Sequence, residues 1–327
     1  MDHSSIQIPE LSMLPFVLML ASIAVFPLTL NRFWEKNNNK FLIGIILSIP
    51  VVIYLISAGL SEKLIEIFLF DYIPFIILLG SLFVITGGIY LSGDIEAKPI
   101  TNTKFLAIGA VLASFMGTTG AAMLLIRPII QTNREREFKV HTILFFIAIV
   151  ANCGGLLTPL GDPPLFMMYL HGAPFFWFFT LFSEWIMTNS LLLILYFLVD
   201  NYYNKKEKPS SILFDKTSLK PIKLEGKINF LWLAGVVFSV AFINEQFIPF
   251  IGNNHYFKFL REFLIISMAG LSLLTTANVT RVANKFTWHP IEEVAYLFFG
   301  IFITMVPCLL YLETNAKNLG IETTVEF

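Results

Sequence analysis

Apolar residues in this chain run in long blocks with few charges instead of alternating with polar ones. Met13–Leu30, Phe41–Leu60, Ile73–Leu91, Leu181–Val199, Ile228–Phe250 and Ile291–Leu312 are the clearest. Each is roughly 17–25 residues long, the length at which an α-helix spans a bilayer. Phe263–Leu274 is shorter, but with its continuation to Val279 it reads as a further crossing. The pattern predicts an all-α fold, a polytopic membrane helix bundle.

Two other apolar stretches are interrupted near their middles. In 105–131 the break is Gly117-Thr118-Thr119-Gly120. Each limb is about 12 residues, or ~18 Å of helix at ~1.5 Å per residue, too short to cross a ~30 Å hydrocarbon core. A re-entrant hairpin with its tip at mid-membrane is expected. In 140–170 the break is the run Gly154-Gly155-Leu156-Leu157-Thr158-Pro159-Leu160-Gly161-Asp162-Pro163-Pro164. Pro159 disfavours helical backbone at Thr158. Asp162 before Pro163 reads as an N-cap followed by proline at the first helical position. A discontinuous helix is expected, stopping, unwinding and restarting within the membrane. Non-helical backbone at that depth survives only where protein buries it or where it lines a wet cavity.

Charge placement supports the hairpin. Arg32, Lys36 and Lys40; Lys98 and Lys104; Arg134, Arg136 and Lys139; seven lysines from Lys205 to Lys227; and Arg281 and Lys285 cluster between the apolar blocks. Basic loops stay cytoplasmic. With the N-terminus outside and 105–131 entering and leaving on the inner side, 17 of the 22 Lys and Arg residues become cytoplasmic. A single crossing by 105–131 would put the seven-lysine loop outside. The acidic stretch 61–71 is expected as an outer loop.

Composition removes other classes. Of 327 residues, 56% are hydrophobic and only 14% charged, with a mean hydropathy of +0.74. A net charge of −1 gives no general attraction to nucleic acid. Cys153 and Cys308, the only cysteines, supply neither a disulfide framework nor a metal cluster. No basic segment precedes the first apolar block, so that block is expected to be retained as a membrane helix. The lipid bilayer is the expected partner, the cytoplasmic (inner) membrane the expected location, and no cofactor is implied.

A hairpin followed by a broken helix is a way to build an ion site in a secondary transporter. Unwound carbonyls at 156–158 and the hydroxyls of Thr118, Thr119 and Thr158 could ligate a hard cation, and Gly117 and Gly155 let backbone approach closely. Asn152 lies just before the second break. A mid-membrane carboxylate costs roughly 2.5–3.5 kcal/mol on insertion scales, which singles out Asp162. It could hold Na+ or H+ in turn, or it could only cap the restarted helix. Arg127 reads as a side chain snorkelling to the interface, or as a counter-charge to Asp162. His141, Glu184 and Glu245 read as interfacial.

The segments Asn102-Thr103, Gly117–Ala122, Leu125-Ile126-Arg127-Pro128, Thr158–Phe166, Gly172–Trp177 and Leu297–Phe302 resemble the bacterial D-type sodium/proton antiporter group of the ion transporter superfamily, which includes citrate and arsenite carriers. The resemblance runs from about Leu14 to Leu312. It implies sodium:proton exchange and an inverted repeat, with 1–200 as first repeat, 201–228 as cytoplasmic linker and 229–327 as the start of a second repeat, truncated near Thr323–Phe327. A homodimer is a further expectation. The competing readings are a citrate-like carboxylate symporter, against which a fixed Asp162 would repel an anion, an arsenite carrier, and an intramembrane aspartyl protease. The protease reading lacks a second aspartate inside an expected span.

Overall fold

The computed structural model describes residues 8–217, 219–253 and 259–315; the expected truncation point at Thr323–Phe327 lies outside them. In chain order the main elements are α1 (Leu14–Thr29), α2 (Asn37–Ser57), α3 (Ile73–Gly87), β1 (Tyr90–Asp94), α4 (Pro99–Met116), α5 (Thr118–Thr132), α6 (Val140–Ile149), α7 (Pro163–Leu170), α8 (Phe182–Asn204), α9 (Pro209–Thr217), β2 (Lys220–Glu225), α10 (Asn229–Phe242), α11 (Leu260–Thr275), α12 (Asn278–Ala283) and α13 (His289–Asn315). Among the described residues, seven helices are long and apolar enough to cross a membrane: Glu10–Thr29, Asn37–Ser57, Ser61–Gly87, Pro99–Met116, Val140–Leu157, Phe175–Asn204 and His289–Asn315. The protein is an all-α, multi-pass membrane protein.

The backbone forms two compact units, Met1–Ile76 with Thr287–Phe327, and Ile77–Phe286. In the first, α2 crosses α13 at two glycines: a Cβ on Gly300 would lie 2.8 Å from Gly44 Cα. The close approach buries Lys40, whose Nζ lies 2.5 Å from Glu293 Oε1, and lets Asn37 Nδ2 donate to the His289 carbonyl at 2.9 Å. Removing Glu293 would strand the buried Lys40 ammonium. Leu14, Val17, Leu18 and Val25 on α1 are exposed, as suits a lipid-facing helix.

Three expected boundaries move. The stretch 61–71 is not a loop: Ser61–Glu66 is α-helical and Ile67–Tyr72 forms a π-helical turn that runs into α3. Leu64, Ile65, Phe68 and Leu69 recur at helical spacing there, which outweighs the acidic residues. The third block ends at Gly87 instead of Leu91, because Tyr90–Asp94 pairs antiparallel with Lys220–Glu225. The fifth block stops at Phe242, where Asn244 Oδ1 accepts the Gln246 and Phe247 N–H groups in a local turn that competes with helix.

In the second unit the seven-lysine region is folded. It carries α9 and then β2, whose ladder with β1 pairs Tyr90 with Glu225 and Asp94 with Lys220. Arg281 closes the far side by capping two helices at once. Its Nη1 donates to the Val84 carbonyl (2.8 Å) and its Nη2 to the Ser272 carbonyl (3.0 Å). Both are last-turn carbonyls, of α3 and α11, at the negative end of the helix dipole; that of Ser272 also accepts the Thr276 N–H.

Candidate functional site

The site is built where α4–α5 and α6–α7 are each interrupted. Gly117 separates α4 from α5 with φ 78° and ψ 149°, a backbone that favours glycine. The chain then doubles back, so that Asn102 near the start of α4 and Asn133 just after α5 exchange amide hydrogen bonds of 2.8 and 2.9 Å. The first limb is longer than expected. α4 begins at Pro99 and has 18 residues, about 27 Å of helix, because proline at the first helical position adds two polar turns.

The second interruption is a 3-10 turn, Cys153–Leu157, followed by extended backbone at Thr158 and at Asp162. Ser114 stitches it to the first. Its hydroxyl donates to the Gly154 carbonyl at 2.6 Å and accepts the Leu157 N–H at 3.3 Å, while its carbonyl accepts the Thr158 hydroxyl. Trp185 Nε1 also donates to the Gly154 carbonyl, at 2.9 Å, and Asn189 Nδ2 to that of Cys153 at 3.3 Å. The strands of the two breaks are in contact. Thr118 N–H donates to the Gly161 carbonyl at 2.9 Å. A Cβ on Gly155 would stand 2.8 Å from Thr118 Cγ2, and one on Gly161 would stand 1.8 Å from the Gly155 carbonyl oxygen.

Asp162 sits at this junction. It occupies the N-cap position of α7, and its carbonyl accepts the Leu165 and Phe166 N–H groups. Its side chain makes no capping hydrogen bond, and the Thr118 hydroxyl lies beside the carboxylate. The N-termini of α5 and α7 both open here, and their dipoles favour an anionic carboxylate. The arrangement places one half-buried carboxylate and one hydroxyl beside backbone freed from helices, a donor set for a hard monovalent cation or a proton.

The other expected site residues divide. Gly117, Gly155 and Thr118 meet Asp162 or its neighbours. The Thr158 hydroxyl is committed to structure, bonding the Ser114 carbonyl and the Leu160 N–H. Thr119 is exposed, whereas Thr118 is buried. Asn152 is exposed too, and its amide reaches only the Ile147 carbonyl at 3.5 Å. Arg127 is no counter-charge to Asp162: its Nη1 donates to Asn284 Oδ1 (2.7 Å) and the Ala283 carbonyl (3.4 Å). Ser114, Trp185 and Asn189 were not singled out by the sequence, because a serine or an indole on an apolar helix carries no motif. Asp71 and Asp200 are buried within helices of spanning length, contrary to the expectation of a single intramembrane aspartate. Asp200 is taken up by Arg136, His141 and Tyr196.

Comparison with known proteins agrees with this architecture. An alignment 99 positions long, which covers 27% of the chain and 27% of its relative, is 31% identical to the inner membrane protein YbiR of Escherichia coli (strain K12). The match therefore spans about a quarter of that relative's length. No solved structure matches the chain. Residues 5–326 match the family CitMHS_2, described as "Putative citrate transport", so the chain belongs to that family of membrane transporters.

Proposed function

We propose that this secondary transporter exchanges Na+ for H+ at the junction of the two helix breaks, with Asp162 as the residue that holds either ion. The observation that carries this reading is the Asp162 side chain itself. It stands at a helix N-terminus without capping it, with the Thr118 hydroxyl beside it. A carboxylate placed beside non-helical backbone at membrane depth is costly, and a bound cation or proton removes that cost. Because one carboxylate accepts Na+ or H+ but not both, alternate exposure of the site couples the two fluxes. The same reading puts the protein in the inner membrane with its N-terminus outside and both ends of 105–131 on the cytoplasmic side, and allows a homodimer.

A second reading is coupled carboxylate transport, favoured by the family's description. Under it Asp162 holds the coupling cation and the anion binds elsewhere. The full-length protein in proteoliposomes separates the two. An outward Na+ gradient should drive H+ movement without any carboxylate present. H+ or Na+ movement that appears only when citrate is supplied would replace exchange by symport.

A further inference from the structure

The open end of the α4–α5 pair is held by a carboxylate that the transport reading does not use. Asp200, on α8, has no exposed surface. Its Oδ1 lies 2.6 Å from Arg136 Nη2 and 2.9 Å from His141 Nε2. Its Oδ2 accepts the Tyr196 hydroxyl at 3.1 Å and Asn102 Nδ2 at 3.3 Å. These partners come from different places. Asn102 belongs to the first limb of the pair, Arg136 to the loop after the second limb, and His141 to the first turn of α6, which leads into the second break. Glu207, just beyond α8, holds the same loop by accepting the Glu137 and Phe138 N–H groups at 3.0 and 2.9 Å. Arg136 also donates to Asn133 Oδ1 at 3.2 Å, and Asn133 pairs with Asn102. One buried carboxylate thus joins both limbs of the first interrupted pair to the first half of the second.

We propose that Asp200 is a positioning residue for transport, a clasp that fixes the two interrupted helix pairs to each other at their bases so that Thr118 and Asp162 keep their geometry at the tips. The base and the tips are far apart. Asn102 and Met116 lie on the same helix, about 14 residues or about 21 Å apart. Across that lever a small rotation at the base becomes a displacement of the Thr118 hydroxyl relative to the Asp162 carboxylate. Groups that orient a cation's ligands typically cost about 10–100-fold in affinity or activity when removed. The buried ionic character suits this role, because a carboxylate held by an ion pair and three hydrogen-bond partners has one arrangement, whereas an apolar contact could slide.

The proposal rests on the reading of Asp162 as the ion site, and its test keeps the two apart. The full-length protein in lipid nanodiscs, with Cys153 and Cys308 replaced and Trp185 as sole tryptophan, reports Na+ binding through Trp185, which touches the second break at the Gly154 carbonyl. Spin labels at the exposed Ile130 and Leu144 report the spacing of α5 and α6. Asp200→Asn should broaden that distance distribution and raise the half-saturating Na+ concentration about tenfold or more in the folded fraction. The paired replacement Asp200→Leu with Arg136→Met removes both charges, which avoids a stranded guanidinium. It should recover folded yield while leaving half-saturation raised. Wild-type half-saturation and a narrow distribution in that pair would overturn the clasp and leave Asp200 a structural ion pair. Asp162→Asn should abolish the Na+ response with the distribution unchanged. If it keeps the response while Asp200→Asn still broadens the distribution, the ion site lies elsewhere and the clasp stands.

Discussion

Gly161→Ala is the smallest perturbation that tests whether the two breaks interlock. The backbone at Gly161 is not in the left-handed region, so alanine meets no conformational penalty, and the whole effect comes from space. The added Cβ would stand 1.8 Å from the Gly155 carbonyl oxygen and 2.8 Å from Gly155 Cα. The obstacle is backbone, which cannot rotate away as a side chain tip can. Gly161 also presents its carbonyl to Thr118 N–H, so relief of the clash must pull the breaks apart. Overpacking of this kind costs about 1–3 kcal/mol and occasionally more, and an unmovable obstacle belongs at the upper end, about 3 kcal/mol. At roughly 2–4 °C per kcal/mol for a large domain, the thermal midpoint in detergent should fall by about 6–12 °C. Gly270→Ala is the control. It lies within α11, nothing stands within 4 Å of its Cβ, and the exchange should be neutral or stabilise by up to about 1 kcal/mol. Equal midpoints for the two variants would refute the interlocked geometry.

Ser114→Ala should lower stability by about 1–3 kcal/mol, since it leaves the buried Leu157 N–H without its acceptor; a chemical denaturation midpoint checks it, and an unchanged midpoint would show that the stitch is dispensable. Arg281→Met removes the cap on the last-turn carbonyls of α3 and α11, and hydrogen exchange should rise at the amides of both helix ends while those of α2 stay unchanged. Asp215, on α9, has its carboxyl pushed above the usual range, first by burial and then by Glu135, Asp94 and Glu96, against a lowering from the Ala97 N–H. A pKa raised on folding gives stability that is full below the unfolded value of about 3.9 and is lost as pH rises through the folded value. Asp215→Asn should therefore raise the thermal midpoint at pH 7, with the gain shrinking toward pH 4; a gain that grew on acidification would contradict the assignment.

The helices were legible because bilayer-length apolar runs have few alternatives, and Gly117 and the Thr158–Asp162 segment announced their breaks by glycine and proline. The stretch 61–71 misled because its acids, at a helix start, suggest a loop when only counted. The β1–β2 ladder was invisible: Tyr90–Asp94 continues an apolar block, and its partner Lys220–Glu225 lies far along the chain in a lysine-rich segment, so nothing local marks the pair. At the site, Asp162, Thr118, Gly117 and Gly155 could be chosen because two interruptions of similar depth imply a meeting. Which threonine faces inward could not be read: Thr118 and Thr119 are adjacent on a helix, about 100° apart, and only packing against Gly155 decides between them. Ser114 and Asp200 act through tertiary contacts from helices with no unusual pattern.

The central claim is that Na+ and H+ compete for the Asp162 carboxylate. Its most direct measurement is Na+ binding to the purified full-length protein across pH, for wild type and Asp162→Asn. The asparagine keeps the size and leaves the backbone contacts of position 162 to Leu165 and Phe166 in place, while removing the titratable charge. Wild type should bind Na+ with an affinity that falls about tenfold per pH unit on the acid side, the slope of one proton displaced by one ion. Asp162→Asn should bind weakly or not at all, with no pH slope. Unaltered affinity and the same slope in Asp162→Asn would place the exchange site on another residue and contradict the account.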